Sequence, residues 1–212
     1  MTKLTYTSDV AFTSSVKALQ ARKGSRHAYA RMEQNGSWES TVTAQLRDFI
    51  ALQTSFYMAT VNADGQPYIQ HRGGPAGFLR VLDEHRLAFV DFSGNKQFIS
   101  QGNLTENPKV HLFLMDYAHR QRIKIWGDAL VIEDDPVLLA SLVPENYPVK
   151  SEQVIVIRVS AWDANCPQHI PVRFDAVQVK KALAEKDQEI ERLKRKLANL
   201  RIKIMDQLPG EA

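Results

Sequence analysis

The chain has 212 residues, 44% of them hydrophobic and 24% charged, the balance of a globular protein with room for one sizeable domain and an appendage. A formal net charge of +3 is too mild to imply nucleic acid and accommodates, without requiring, an anionic ligand. One cysteine, Cys166, rules out a disulfide within these residues and fits a reducing compartment; with no apolar signal core and no apolar run near the ~18 residues of a membrane span, the expected location is the cytoplasm.

Residues 1–40 are mixed and polar and are expected to form an N-terminal arm that wraps over the domain or over a partner subunit. Val10 to Ala21 can form one short helix, with turns at Lys23-Gly-Ser-Arg-His and Gln34-Asn-Gly-Ser. A helix is predicted from Thr43 to Gln53, capped by Thr41 or Thr43, with Leu46, Phe49 and Ile50 on one face. The period then changes to that of strands. Phe56–Asn62 and Pro67–Arg72 flank Asp64-Gly65, a strong hairpin signal. A second hairpin runs from Phe78–Leu82 through Asp83-Glu-His to Arg86–Asp91. Further strands are predicted at Val110–Met115, Arg122–Ile132 and Val154–Val159. About six strands, mostly on short turns and without βαβ alternation, predict an antiparallel barrel or sandwich and disfavour a doubly wound nucleotide fold. Two helices interrupt them, one from Asn95 to Thr105 and one over Val137–Leu142, started by Asp135 as N-cap with Pro136 at the first helical position.

Residues 178–212 differ in kind. Leu183, Ile190, Leu193, Leu197, Leu200 and Ile204 form a heptad stripe, interrupted where Lys186 and Gln207 take seam positions. A short coiled coil between subunits is expected, the alternative being a single amphipathic helix packed on the domain. The basic cluster Arg192–Lys196 with Arg201 and Lys203 is interspersed with Glu185, Glu189 and Glu191, which makes it a solvated face rather than a nucleic-acid site.

Four clusters carry chemistry. Gln70-His71-Arg72-Gly73-Gly74 ends a strand with two cationic side chains beside glycines that let a ligand approach the backbone; the plain alternative is a charged surface turn. Asp91-Phe-Ser-Gly-Asn95-Lys96-Gln97 runs from a strand end into a helix start, where backbone N–H groups and a lysine attract anions, unless Asn95 or Ser93 is only a cap. In Arg120-Gln-Arg122-Ile-Lys124-Ile-Trp126-Gly127, alternation puts Arg122, Lys124 and Trp126 on one face, either a ligand wall or a solvated exterior. Trp162-Asp-Ala-Asn-Cys166-Pro-Gln-His169 pairs a thiol with an imidazole, but the prolines indicate a rigid loop, and zinc lacks enough ligands there.

In this order, the clusters resemble the pyridoxamine-5′-phosphate-oxidase-like FMN-binding split barrels over roughly Asp48 to Phe174. The landmarks are Gly65-Gln-Pro67, Tyr68–Arg72, Asp91–Gln97, Asn107–Val110 and Arg122–Gly127; Asn165-Cys-Pro-Gln-His-Ile170 looks like an uncharacterised bacterial branch rather than the vitamin-making oxidase. The resemblance implies a mainly β, six-stranded antiparallel split β-barrel over residues 41–177. It also implies a homodimer holding FMN in grooves built by both subunits. Carried over by position, Gln70, His71, Arg72, Gly73 and Gly74 line the flavin and its phosphate tail. Val90 and Asp91 sit under the ring or ribityl chain, while Asn95, Lys96 and the adjacent Gln97 fall where the family binds phosphate. Arg122 takes the place of a flavin-contacting glutamine, and Trp162 and Arg173 fall near a tryptophan and an arginine that reach in from the other subunit. Asn95 and Pro75 stand where the oxidase is basic, and its C-terminal substrate signature is replaced by the heptad helix, so pyridoxal phosphate synthesis is disfavoured.

The implied activity is an FMN-dependent oxidoreductase acting on a small molecule, with His71 the candidate proton donor and the redox chemistry belonging to the flavin. The alternatives are a flavin-binding or redox-responsive module without turnover, and a related barrel that takes haem or F420.

Overall fold

The computed structural model describes residues 5–144, 147, 148, 150–164 and 167–205. Asn165 and Cys166, which belong to the fourth cluster, lie outside the described residues. The chain divides into two compact units, Met1–Ile170 and Pro171–Ala212.

The first unit opens with a 3-10 turn, Thr7–Val10, followed by α1, Ser14–Arg22, and α2, Arg26–Gln34. Thr13 caps α1 by accepting from the Val16 N–H at 3.3 Å. The single helix expected over Val10–Ala21 is thus placed a few residues late, and α2 occupies a stretch where periodicity predicts no element. α2 is held by charge rather than by an apolar face. Glu33 is buried, ion-paired with Arg26 and, at 3.3 Å, with Lys17; the Arg26 guanidinium also donates to Gln20 Oε1 at 2.8 Å. Phe12 then packs against Tyr29 and Trp38, and Trp38 stacks on Trp126 of the sheet, 4.8 Å between ring centroids. The arm therefore covers part of the sheet of its own chain.

Next comes α3, Ala44–Ala51, with the Thr43 hydroxyl accepting from the Leu46 N–H and with Leu46, Phe49 and Ile50 buried, as their spacing predicts. The strands are β1 Ser55–Val61, β2 Pro67–Gly73, β3 Arg80–Val81, β4 Arg86–Phe92, β5 Lys109–Asp116, β6 Gln121–Ile132 and β7 Ser151–Ala164. They form one antiparallel sheet of order β2-β1-β5-β6-β7-β4-β3. There are seven strands rather than six, β3 being a two-residue ladder, and the two end strands do not pair, so the sheet is split rather than closed. The β1–β2 turn is the one Asp64-Gly65 predicts, with Gly65 at φ +84, a conformation that favours glycine.

Alternation fills the core: Phe56 and Met58, Leu112 and Leu114, Ile123 and Ile125, Leu87 and Phe89, Ile155 and Ile157 meet the apolar face of α3. β4 is buried on both sides, because α5, Pro136–Leu142, covers its other face with Leu142 beside Ala88, Val90 and Val154. Asp135 caps α5 as expected, accepting from the Leu138 N–H at 2.8 Å.

The second unit is built on α6, Ala176–Met205, an amphipathic helix whose apolar stripe is exposed. Among the described residues, no helix is long and apolar enough to cross a membrane.

Candidate cofactor site

Strand alternation builds the site. Tyr68, Gln70 and Arg72 share one face of β2, in register with Thr60, Met58 and Phe56 of β1, so they point to the core side at the edge of the sheet. There they line a pocket with Asp91 and Phe92 at the end of β4, Glu152 of β7, the 94–98 loop and the start of α4, Ile99–Glu106. Arg72 and Lys96, 24 positions apart in the chain (96 − 72), thus border one pocket.

Arg72 is 11% exposed and ion-paired with Asp91, which is 13% exposed and whose other carboxylate oxygen accepts from Gln153 Nε2 at 3.0 Å. The Arg72 guanidinium carbon lies 5.6 Å from the centroid of the Phe89 ring. Burial depresses the Arg72 pKa, and the Asp91 carboxylate opposes that shift. Arg72 Nε is buried without a hydrogen-bond partner. Ser100 Oγ donates to Gln70 Oε1 at 2.8 Å, tying the strand to the first turn of α4.

The helix predicted from Asn95 starts four residues later, at Ile99. Lys96 and Phe98 sit at φ 59 and 53, left-handed conformations that no α-helix contains and that non-glycine residues adopt at a cost. Asn95 Oδ1 accepts from the Gln97 N–H at 3.2 Å, closing a local turn rather than capping a helix. Phe98 takes the N-cap position without a side-chain bond, so α4 starts with no side-chain cap. Asn95, Lys96 and Gln97 line the pocket from this exposed loop, and Ser93 anchors it by donating its N–H to the Lys150 carbonyl at 2.8 Å.

The other sequence-derived residues sit elsewhere. His71 points to the opposite face of β2, against Tyr57 at 5.6 Å between ring centroids. Gly73 follows it, and Gly74 has a packing reason of its own: a Cβ there would lie 2.7 Å from the Phe78 ring. Val90 packs its side chain against Leu142 and Val154, away from the pocket. Trp162 lies in the core of its own chain, and its indole donates to the Thr41 carbonyl at 2.8 Å. Arg173 belongs to the second unit. Arg122, Lys124 and Trp126 lie on the outward face of β6, while Ile123 and Ile125 enter the core, which settles the face that alternation left open. Lys124 pairs with Asp163 at 3.0 Å and lies over the Trp38 and Trp126 rings, a covered surface rather than a bare ligand wall. Arg122 Nε is also buried without a partner.

Tyr68 and Ser100 were missed by sequence reasoning. The two-residue spacing to Gln70 signals Tyr68, and nothing local signals Ser100 or the Glu152 and Gln153 contributions of β7. Sequence reasoning also passed over His111, on the outward face of β5 opposite Trp126, with Nε2 buried and unpartnered. Burial, and then the Lys124 charge, hold its pKa below the ordinary 6.5.

The open, seven-stranded antiparallel sheet is that of a split barrel, with a polar pocket at one edge. Residues 42–166, more than half of the chain, match the family model for pyridoxamine 5′-phosphate oxidase, and the chain belongs to that family. No curated protein matches it. Solved structures similar to it include HupZ of Group A Streptococcus, 19% identical over 62% of this chain and 98% of that one, TM-score 0.48. An FMN-binding protein from Syntrophomonas wolfei is 11% identical over 70% and 97%, TM-score 0.48. A Clostridium acetobutylicum protein related to general stress protein 26 is 10% identical over 64% and 94%, TM-score 0.46.

Proposed function

We propose that the chain binds FMN at the β2–β4–α4 pocket and, as a cytoplasmic homodimer, acts as a flavin-dependent oxidoreductase on a small molecule. The observation that carries this reading is convergence: Arg72, Lys96, Gln97 and Ser100 border one pocket, and Arg72 Nε is buried with no partner. Family membership supports FMN as the ligand.

The residues present fit an anionic tail, with a qualification in charge. Arg72 and Lys96 are matched by Asp91 and Glu152, so the pocket is formally neutral. Asp91 is occupied by Arg72 and Gln153, which fixes the guanidinium and leaves its Nε–H for a ligand. The tail is therefore held by directed donors and by Lys96 rather than by a net positive field. When bound, the flavin supplies the redox chemistry, and the protein contributes binding, orientation and exclusion of water. Ser100 and Gln70 fix the wall beneath the loop, and Lys96 lines the pocket from a left-handed turn of that loop. His71, on the opposite face of β2, lies outside this pocket.

That outward face supports pairing of two barrels. Ile69 is 65% and Tyr57 44% exposed on neighbouring strands beside His71, an apolar patch of the kind that marks an interface.

The test is the visible spectrum of the purified protein, before and after anaerobic NADPH, with its mass in solution. Flavin bands, bleaching with NADPH and a dimeric mass are expected. A colourless protein that takes up no FMN on reconstitution overturns the proposal. Haem or F420 bands move the ligand, and bound flavin that no reductant bleaches favours a redox-responsive module.

A further inference from the structure

Among the described residues, nothing of its own unit covers one long side of α6. Val179, Leu183, Ile190, Leu193, Leu197 and Leu200 are all exposed, at successive steps of four, seven, three, four and three along one side of a 30-residue helix. With Leu183, Ile190 and Leu197 as a positions, Lys186, Leu193 and Leu200 fall at d. The flanking positions are graded in charge. Lys180, Asp187 and Glu189 border the first half of the stripe, and Lys194, Lys196, Arg201 and Lys203 border the second.

We propose that α6 is the contact surface for α6 of a second copy, and that the two helices run antiparallel with Leu183 opposite the partner's Leu200 and Ile190 opposite the partner's Leu193. Orientation follows from the charges. In an antiparallel pair, e faces e and g faces g. This register sets Asp187 beside the partner's Lys194 and Glu189 beside the partner's Lys196, each contact made twice by symmetry. Sliding the pair by one heptad either way sets Lys194 against its own copy, or Asp187 and Glu189 against theirs. A parallel pair gains Glu189 with the partner's Lys194. It also sets Lys196 against the partner's Arg201 and the two Lys186 side chains against each other inside the seam. Antiparallel pairing places Lys186 opposite the partner's Leu197, where its methylene stem covers the leucine and its ammonium reaches water. The one repulsive flank, Lys180 with the partner's Arg201, falls at the solvated ends, where salt screens it.

Cysteine cross-linking of the full chain in a Cys166→Ser background tests this. Residues 183 and 200 are about 25 Å apart along one helix, too far for an internal link. The double variant Leu183→Cys, Leu200→Cys is expected to form a disulfide-linked dimer on mild oxidation, and each single variant is expected to remain monomeric on a non-reducing gel. Linkage of Leu200→Cys alone means parallel pairing and overturns the proposal, as does the absence of linkage in the double variant. In the double variant, Asp187→Lys with Glu189→Lys should abolish the link, and adding Lys194→Glu with Lys196→Glu should restore it. Failure of the second exchange to rescue also counts against the proposed register.

Discussion

At Arg72 the guanidinium has two tasks that can be separated. It neutralises Asp91, and its remaining Nε–H faces no acceptor. Lys96 has only an exposed backbone turn beneath it. Lys96→Ala is therefore expected to weaken FMN retention by one to two decades, for a charge-assisted contact of roughly 1.5–3 kcal/mol, with the denaturation midpoint unchanged. Arg72→Ala is expected to lose FMN and stability together, because it strands a largely buried carboxylate that keeps only Gln153. Titration of apo-protein with FMN, alongside urea denaturation, reads both, and equal stability loss in the two variants would contradict this division. His111 gives a pH dependence of definite sign. Its pKa is lowered in the fold, so the unfolded chain takes up the proton first as pH falls. The fold thus keeps this contribution above the unfolded imidazole value and loses it as pH drops from about 6.5 through the lower folded value. His111→Gln should flatten stability against pH in that window, as measured by urea midpoints; a curve unchanged by the substitution would remove His111 from the account.

At the scale of elements, Gly74 joins β2 to the core. Because a Cβ there meets the Phe78 ring at 2.7 Å, and Phe78 stacks on Phe56, Gly74→Ala should destabilise the first unit by about 1–3 kcal/mol through displaced packing. Chemical denaturation measures it, and a loss confined to FMN binding would instead support the ligand-approach reading of the glycines. How legible each element is in the sequence depends on what holds it. Strands whose alternate residues enter the core, and the helices α3 and α5 with their Thr43 and Asp135 caps, leave a periodic or local mark. α2 leaves none, since Glu33, Lys17 and Arg26 hold it by charge pairing between residues that look solvated in a linear reading. The start of α4 was misplaced for a different reason: Lys96 and Phe98 adopt left-handed backbone, which neither residue type favours and which no local motif marks. In the pocket, Arg72 was legible as a charged strand end and Lys96 as a cation at an expected helix start, where the structure has a loop. The Arg72–Asp91–Gln153 chain joins β2, β4 and β7 and has no local signal.

For the whole molecule, a ligand that binds only the folded state stabilises it by mass action, by about 2.7 kcal/mol at a hundredfold excess over Kd. FMN should raise the melting temperature of the first unit by several degrees, and riboflavin, which lacks the phosphate, should raise it much less. Equal shifts from the two would place the recognition on the ring rather than at the Arg72 and Lys96 rim. The Trp38–Trp126 stack has an optical consequence as well. All three tryptophans of the sequence gather where the arm meets the sheet: Trp38 lies on Trp126, and Trp162 binds the backbone at Glu39 and Thr41. Intrinsic emission is thus a local reporter, answering to peeling of residues 38–41. An emission change that precedes the loss of ellipticity would register the arm lifting away while the strands beneath it stay paired.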